Sequence, residues 1–110
     1  MANVYTNYKV DLSTNSETTI YTVPSETTAL VRSIRISNDD IGNACTVTLT
    51  VTDADSAIFS LEKDKSIAAK TSEEILKAVL VLKESEVIKV QAQNGNDLHV
   101  IISVLEISST

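Results

Sequence analysis

The sequence predicts an all-β protein, an antiparallel β-sandwich of jelly-roll or immunoglobulin-like kind with eight to nine short strands. Val, Ile and Thr are abundant, and β-branched side chains pack well on the pleated surface of a sheet. Apolar and polar residues alternate with a period of two along most of the chain. Turn-forming clusters recur at about 8–12-residue intervals, as they do in sandwiches and barrels. The 110 residues contain no long linker, so we expect one domain, 1–110, with flexible ends at 1–3 and 108–110.

The first half of the chain contains four predicted strands. Each alternates between a face that can be buried and a polar face, which is the pattern of a half-buried strand. In the first strand Tyr5 falls on the outward face and Tyr8 on the inward face. In the fourth, Val47, Leu49 and Val51 point inward and four threonines point outward. The four strands are Val4–Leu12, Thr18–Val23, Ala29–Ser37 and Thr46–Thr52.

Arg32 does not fit the pattern of the third strand. Strict alternation puts it on the apolar face with Leu30, Ile34 and Ile36, and puts Val31 on the opposite face. A guanidinium group in that position is expected to lie near the strand end, with its stem buried and its head in water.

Charged residues divide the next part of the chain. A strand is predicted at Ala57–Glu62, and Lys63–Lys65 is then expected to turn the chain. The segment Ser66–Ala69 is short and is predicted to form a sheet edge, because Lys65 and Lys70 beside it discourage pairing with another strand.

Two interpretations are open for Thr71–Leu82. A possible capping box at its start and apolar residues at helical spacing favour a helix. However, Val79–Leu82 is also a continuous apolar run of strand length. The regular spacing of the surrounding strands favours two short strands, with a bend near Lys77 and Ala78, over one helix.

The segment from Glu86 to Ile107 is predicted to be a hairpin at the centre of the sheet. Asn94 and Gly95 separate two apolar, β-branched runs, and an Asn-Gly pair is a strong signal for a two-residue type I′ turn. Both residues of such a turn need a positive φ, which Gly adopts freely and Asn tolerates. Apolar residues occupy both faces of the strand after the turn, so this strand is predicted to be covered on both sides.

Charge and composition argue against several classes of protein. The formal net charge is −6, whereas binding to nucleic acid or to anionic lipid depends on clustered Lys and Arg. Cys45 is the single cysteine, so no intrachain disulfide can form, and we expect a small buried residue there. The sequence has neither the pattern of a signal peptide nor that of a membrane span, so we expect synthesis in a reducing cytoplasm.

The sequence contains no recognisable catalytic or ligand-binding pattern. His99 is the single histidine and lies among apolar residues of a predicted strand, where a structural role is expected. One His and one Cys are too few for a usual zinc site, and the Asp pairs in the turns lack a calcium-binding loop. Two glycines leave no phosphate-cradling loop. We therefore expect no enzyme activity, no catalytic residues, no metal site and no cofactor.

Five residues are candidates for a protein interface: Tyr5, Tyr8, Thr46, Thr48 and Thr50. Tyr is favoured at interfaces because its ring is apolar and its hydroxyl is hydrated, although Tyr8 also suits the rim of the core. A neighbouring subunit can cover the threonine face without burying charge. We therefore expect Thr48→Lys to weaken oligomerisation more than it weakens the fold, and light scattering measures the former.

Three stretches resemble a known group of proteins. They are Thr19–Pro24 with Thr27–Asn38, then Cys45–Asp53, and finally Leu98–Ser108. Together they are similar to small virion-associated proteins of tailed bacteriophages, and the likeness extends over residues 4–108. The chain departs from that pattern at two turns where glycine is expected, Ser25–Thr27 and Glu84–Glu86.

The resemblance implies a structural protein of the virion, made in the host cytoplasm. Proteins of this kind are often β-sandwiches that decorate or cement the capsid, commonly as trimers in contact with the major capsid protein. A component of the tail, neck or fibre is the alternative. A carbohydrate-binding sandwich module is a further alternative, which the scarcity of aromatic residues disfavours.

Overall fold

A computed structural model describes residues 2–95 and 97–108 of the chain. These residues form nine β-strands, joined by turns and loops, and no helix. Strong alternation and β-branched side chains account for the longer strands, as predicted. The strands are β1 Ala2–Asp11, β2 Thr18–Thr22, β3 Thr27–Asn38, β4 Cys45–Thr52, β5 Ile58–Ile67, β6 Ser72–Glu74, β7 Leu80–Leu82, β8 Val87–Ala92 and β9 Leu98–Ser108.

The strands form two antiparallel sheets. Sheet A has the order β1–β9–β3–β6, with β7 also paired to β3, and sheet B has the order β2–β8–β4–β5. Strands β6 and β7 pair with opposite halves of β3, so together they occupy one strand position. Each sheet is therefore four strands wide. Along much of the chain, successive strands belong to opposite sheets. This interleaved order is that of a jelly roll and decides against the immunoglobulin-like arrangement.

The core lies between the two sheets, and β9 is the central strand of sheet A. It pairs with β1 on one side and with β3 on the other. Its inward residues are at most 1% exposed. The prediction of a central strand is therefore confirmed, but its outer face is not covered, since Ile101 is 42% exposed. The inward residues of β9 are Leu98, Val100, Ile102 and Val104.

The predicted hairpin is wrong. Strand β8 belongs to sheet B and β9 to sheet A, so the chain passes from one sheet to the other after Ala92. Neither Asn94 nor Gly95 has a positive φ, so no type I′ turn forms. The apolar runs on both sides of Asn94 and Gly95 do pack in one core, but they face each other across it instead of pairing edge to edge.

Gly95 is needed for space. A Cβ atom built on Gly95 lies 2.7 Å from the backbone oxygen of Ser13 and 3.1 Å from the Cα of Thr14. Because backbone atoms of the 12–17 loop cannot move aside cheaply, we expect Gly95→Ala to destabilise the fold by about 1–3 kcal/mol. Gly42→Ala is the control, because its Cβ would meet only Asp40 Oδ1 at 4.0 Å. Urea unfolding of both variants tests this, and equal midpoints would contradict it.

A β-bulge explains Arg32. The register of β3 against β9 shifts between Val31 and Ser33, so Arg32 is an extra residue without a partner. Val31 and Ile34 therefore both point into the core and are fully buried, while Arg32 is exposed. The expectation that Arg32 shares the apolar face near a strand end is wrong, because one inserted residue exchanges the two faces of the strand.

The segments 63–65 and 71–82, in the middle of the chain, both contribute residues to β-strands. Lys63–Lys65 does not turn the chain, since β5 continues through it as an edge strand with shifts in register and a left-handed Asp64 at φ 52°. In Thr71–Leu82 the prediction of two short strands is confirmed, with a bend at Lys77 and Ala78 between β6 and β7.

The two turns that lack the expected glycine still have the backbone conformation that glycine favours. Glu26 has a φ of 56° and Ser85 a φ of 72°, both in the left-handed region. A hydrogen bond from the Glu26 backbone N–H to Glu84 Oε1, at 2.5 Å, ties the two turns together. Of the ends expected to be flexible, Asn3 and Ser108 lie in paired strands, and residues 1, 109 and 110 lie outside the described part.

Candidate protein interface on the outer face of sheet A

A row of apolar side chains crosses the outer face of sheet A. Tyr5, Leu105, Leu30 and Val81 are directly opposite one another on β1, β9, β3 and β7. Tyr5 is 72% exposed and Val81 55% exposed, and the two residues between them are partly exposed. Strands lie about 4.8 Å apart, so this Tyr5 row extends the apolar surface over about 14 Å. Contiguous exposed apolar side chains of this kind are a feature of protein interaction surfaces.

The other half of the same face has charges of both signs, with Lys9 and Arg35 near Asp11 and Glu74. Ile101 lies between Lys9 and Arg35 in the register of β1, β9 and β3. None of the described carboxylates forms an ion pair with either cation. Glu74, opposite Arg35, instead accepts hydrogen bonds from the hydroxyl of Ser33 and from the Ile34 N–H at 2.8 Å. Lys9 and Arg35 are therefore available to individual carboxylates of a partner protein.

The structure does not bring the five sequence-predicted interface residues together. Tyr5 is part of the Tyr5 row, whereas Tyr8 points inward. Thr46, Thr48 and Thr50 lie on the outer face of sheet B, on the opposite side of the sandwich. They therefore form at least two separate surfaces.

The threonine face is engaged within the chain. The hydroxyl of Thr46 donates to Gln93 Oε1 at 3.3 Å. Thr48 Oγ1 accepts from the backbone N–H of Asp64 at 3.1 Å and so supports the bulge of β5. Thr50 is only 8% exposed. An interface role for these residues stays a prediction, and Thr48→Lys removes an internal hydrogen bond as well as adding charge.

Tyr8 lies at the rim of the core in a small polar network. Glu106 Oε2 accepts hydrogen bonds from Tyr21 at 2.6 Å and from Tyr8 at 3.1 Å, and the two ring centroids are 4.8 Å apart. Tyr21 is 3% exposed. Burial, the hydrogen bond to Glu106 and its negative charge all raise the pKa of both tyrosines above the ordinary value. The network joins both sheets at this end of the core.

Stability is expected to fall above about pH 10. The raised pKa values mean that the folded chain keeps its tyrosine protons where the unfolded chain loses them. The stabilisation is therefore fully present below the unfolded pKa and is lost as the pH rises towards the folded pKa. Melting temperatures of the natural chain and of Tyr21→Phe between pH 8 and about 11 test this, and a decline of equal slope in both would contradict it.

No other site is apparent in residues 2–95 and 97–108. No three His, Cys, Asp or Glu side chains there are grouped so as to hold a metal ion. His99 is partly exposed, with Nε2 3.5 Å from Asp11 Oδ1. Cys45 is fully buried. The described part of the chain forms no helix of the length and hydrophobicity that a membrane span requires.

Sequence reasoning misses most of the Tyr5 row. Strict alternation assigns Leu30 to the buried face, because it does not allow for the bulge at Arg32. The second apolar face of β9 suggests a strand buried on both sides, and so predicts that Leu105 is covered. For Val81 the sequence does contain a signal, the continuous apolar run that ends in Leu82. A half-buried strand needs apolar residues on its inner face only, so an apolar residue on the outer face indicates a further contact surface.

Comparisons with known proteins give the fold. No protein family model and no curated protein matches the chain. A chain of the acid-stable capsid of Helicobacter pylori bacteriophage KHP30 is similar, with a TM-score of 0.56 and 13% identity over 99% of this chain and 90% of that one. A subunit of Bacillus endospore appendages, which are disulfide-linked pili, has a TM-score of 0.53 and 10% identity over 99% and 87%.

A third similar structure comes from T=1 particles derived from infectious bursal disease virus. It has a TM-score of 0.54 and 9% identity, and covers 96% of this chain but only 30% of the viral chain. At such low identities these likenesses establish a shared fold. The chain is therefore a jelly-roll domain of the kind found in capsid and pilus subunits.

Proposed function

We propose that this protein is a structural component of a phage virion, a decoration or cement protein that stabilises the capsid shell through protein–protein contacts. The observation that carries the proposal is the outer face of sheet A. There the Tyr5 row and the two unpaired cations form a surface suited to another protein. The similarity to a phage capsid chain over nearly the whole length of both supports this assignment.

The partner surface is expected to be apolar, with carboxylates opposite the two cations. Leu105 and Leu30, at the centre of the Tyr5 row, would pack against apolar side chains of the major capsid protein. Lys9 and Arg35 would face its carboxylates, which adds specificity and makes association depend on salt. No substrate or cofactor is needed for this function.

Binding to empty shells tests the proposal. Purified protein is mixed with expanded capsids of the encoding phage that lack it, and cosedimentation is measured at low and high salt. The proposal expects saturable binding that weakens as salt rises, and detection of the protein in purified virions by mass spectrometry. Absence from virions together with failure to bind the shells would rule it out.

Other roles for the same fold have less support. The pilus subunits are disulfide-linked, whereas this chain has one cysteine, which is fully buried. A sugar-binding module needs a stacking platform, but Tyr5 and Phe59, both well exposed, lie on different sheets. A position in the tail or neck would use the same surface and is distinguished by where the protein is seen on the particle.

A further inference from the structure

The long edge of sheet A is unprotected. Strand β1 has ten residues, pairs with β9 without any shift in register, contains no proline and carries a single lysine. Natural edge strands are normally short, bulged or charged, which prevents them from pairing with another chain. No described residue pairs with the free edge of β1.

The other sheet edges have these protective features. Strand β2 has five residues, a shift in register between Thr19 and Tyr21, and Pro24 soon after it. Strand β5 is interrupted by shifts in register and by left-handed Asp64, with Lys63 and Lys65 beside it. Strands β6 and β7 have three residues each. Among the described strands, β1 is therefore the sheet edge that lacks these protective features.

The direction of the free backbone groups follows from the pairing with β9. The N–H of Leu12 donates to Leu98 O at 3.0 Å, so even-numbered residues of this segment bond towards β9. The odd-numbered residues from Asn3 to Asp11 consequently direct their N–H and C=O groups to the open edge. Apolar residues on the inward face are also left uncovered there, since Val4 is 51% exposed and Val10 is partly exposed.

We propose that β1 pairs antiparallel with β1 of a second copy of this chain, about a two-fold axis at Asn7. In this register Lys9 of each copy lies opposite Tyr5 of the other, and Asp11 lies opposite Asn3. No like charges oppose each other, and a cation beside an aromatic ring is a favourable pair. Odd residues face odd residues, so the two strands exchange on the order of ten backbone hydrogen bonds and both inward faces stay on the same side.

The edge geometry predicts a dimer in place of the trimer that the sequence resemblance implied. Two identical strands that pair antiparallel are related by a two-fold axis, and that contact closes at two copies. It leaves the Leu105 and Leu30 side of the Tyr5 row free to contact other proteins. The proposal concerns the purified protein in solution and does not depend on a role in the virion.

A cysteine placed on the two-fold axis tests both the pairing and its register. Opposed residues of a hydrogen-bonded antiparallel pair have Cα atoms about 5.5 Å apart, which a disulfide can bridge. In Asn7→Cys, mild oxidation is expected to convert most of the protein to a linked dimer. In Asn3→Cys, the matched control on the same face, the two thiols would be about 27 Å apart and should remain unlinked. Cys45 is fully buried and does not compete.

Association is measured separately by light scattering at about 100 μM, where binding in the micromolar range is nearly complete. The expected mass is twice the 11.9 kDa of the chain. Asn7→Pro removes a free N–H that β9 does not use, and should give a monomer with an unchanged circular dichroism spectrum. Pairing through β1 also predicts that Thr48→Lys on sheet B leaves the dimer intact, in place of the weakened oligomerisation that the sequence pattern predicts. A monomer or trimer of the natural chain, or equal cross-linking at positions 3 and 7, would overturn the proposal.

Discussion

Leu105→Asp is expected to reduce binding to the capsid shell by at least about 30-fold, because it places a charge at the centre of the Tyr5 row. Leu105 lies between Tyr5 and Leu30 on the central strand of sheet A. Loss of a hot-spot residue at the centre of an interface costs about 2 kcal/mol or more, and about 1.4 kcal/mol corresponds to a tenfold change. Quantitative cosedimentation with shells that lack the protein measures the change.

Thr19→Asp is the matched control for this experiment. It adds the same charge to an exposed position on β2, in sheet B on the other side of the sandwich. Binding should stay within about twofold of the natural chain, because a lone surface substitution has little effect away from an interface. Equal losses in the two variants would show that net charge, and not the Tyr5 row, controls docking. Circular dichroism of both variants verifies that the fold is retained.

Asn38→Asp is expected to destabilise the fold by at least about 3 kcal/mol. Asn38 is 3% exposed, and its amide donates to Ile67 O at 2.8 Å and to Asn43 O at 3.0 Å. Its side-chain oxygen accepts from the Asp40 N–H at 2.9 Å. A carboxylate in this position keeps the acceptor but points a buried negative charge at two carbonyl oxygens, which is costly.

The pH dependence of this variant provides a specific signature. Burial disfavours the charged form, so the pKa of the introduced carboxyl group is raised and its destabilisation is largest at neutral pH. Lowering the pH protonates that carboxyl group and restores one donor, so the difference from the natural chain should shrink. Asn94→Asp, at an exposed position with no side-chain hydrogen bond among those described, is the control and should change stability by less than about 0.5 kcal/mol. Urea midpoints at pH 7 and pH 4 decide between the two results.

Local pattern predicted the strands well because each one has a single buried face. Val47, Leu49 and Val51 alternate with threonines, and the structure buries these three residues and leaves Thr46, Thr48 and Thr52 partly exposed, although Thr50 is buried as well. The two short strands in 71–82 followed from the regular spacing of the elements around them. The turns at Glu26 and Ser85, where the family resemblance and not the local pattern implied glycine, have the left-handed conformation that glycine favours.

Features that depend on which strands pair were not predictable in the same way. The Asn94-Gly95 signal indicates a short connection between two strands, but the sequence does not say whether those strands share a sheet. The bulge at Arg32 changes which residues of β3 face the core, and a lone arginine in an apolar pattern is a weak signal for it. The Tyr5 row depends both on the strand pairing and on this bulge. Its members come from four strands that only the jelly-roll topology places side by side, and the bulge turns Leu30 to the outer face.

A cryo-electron microscopy map of virions, or of empty shells incubated with the purified protein, tests most directly whether the outer face of sheet A docks on a capsid. We expect density for the 110-residue domain repeated over the shell, with this face against the capsid protein. Density confined to a single vertex, or a domain that touches the shell through sheet B while the Tyr5 row faces solvent, would contradict it.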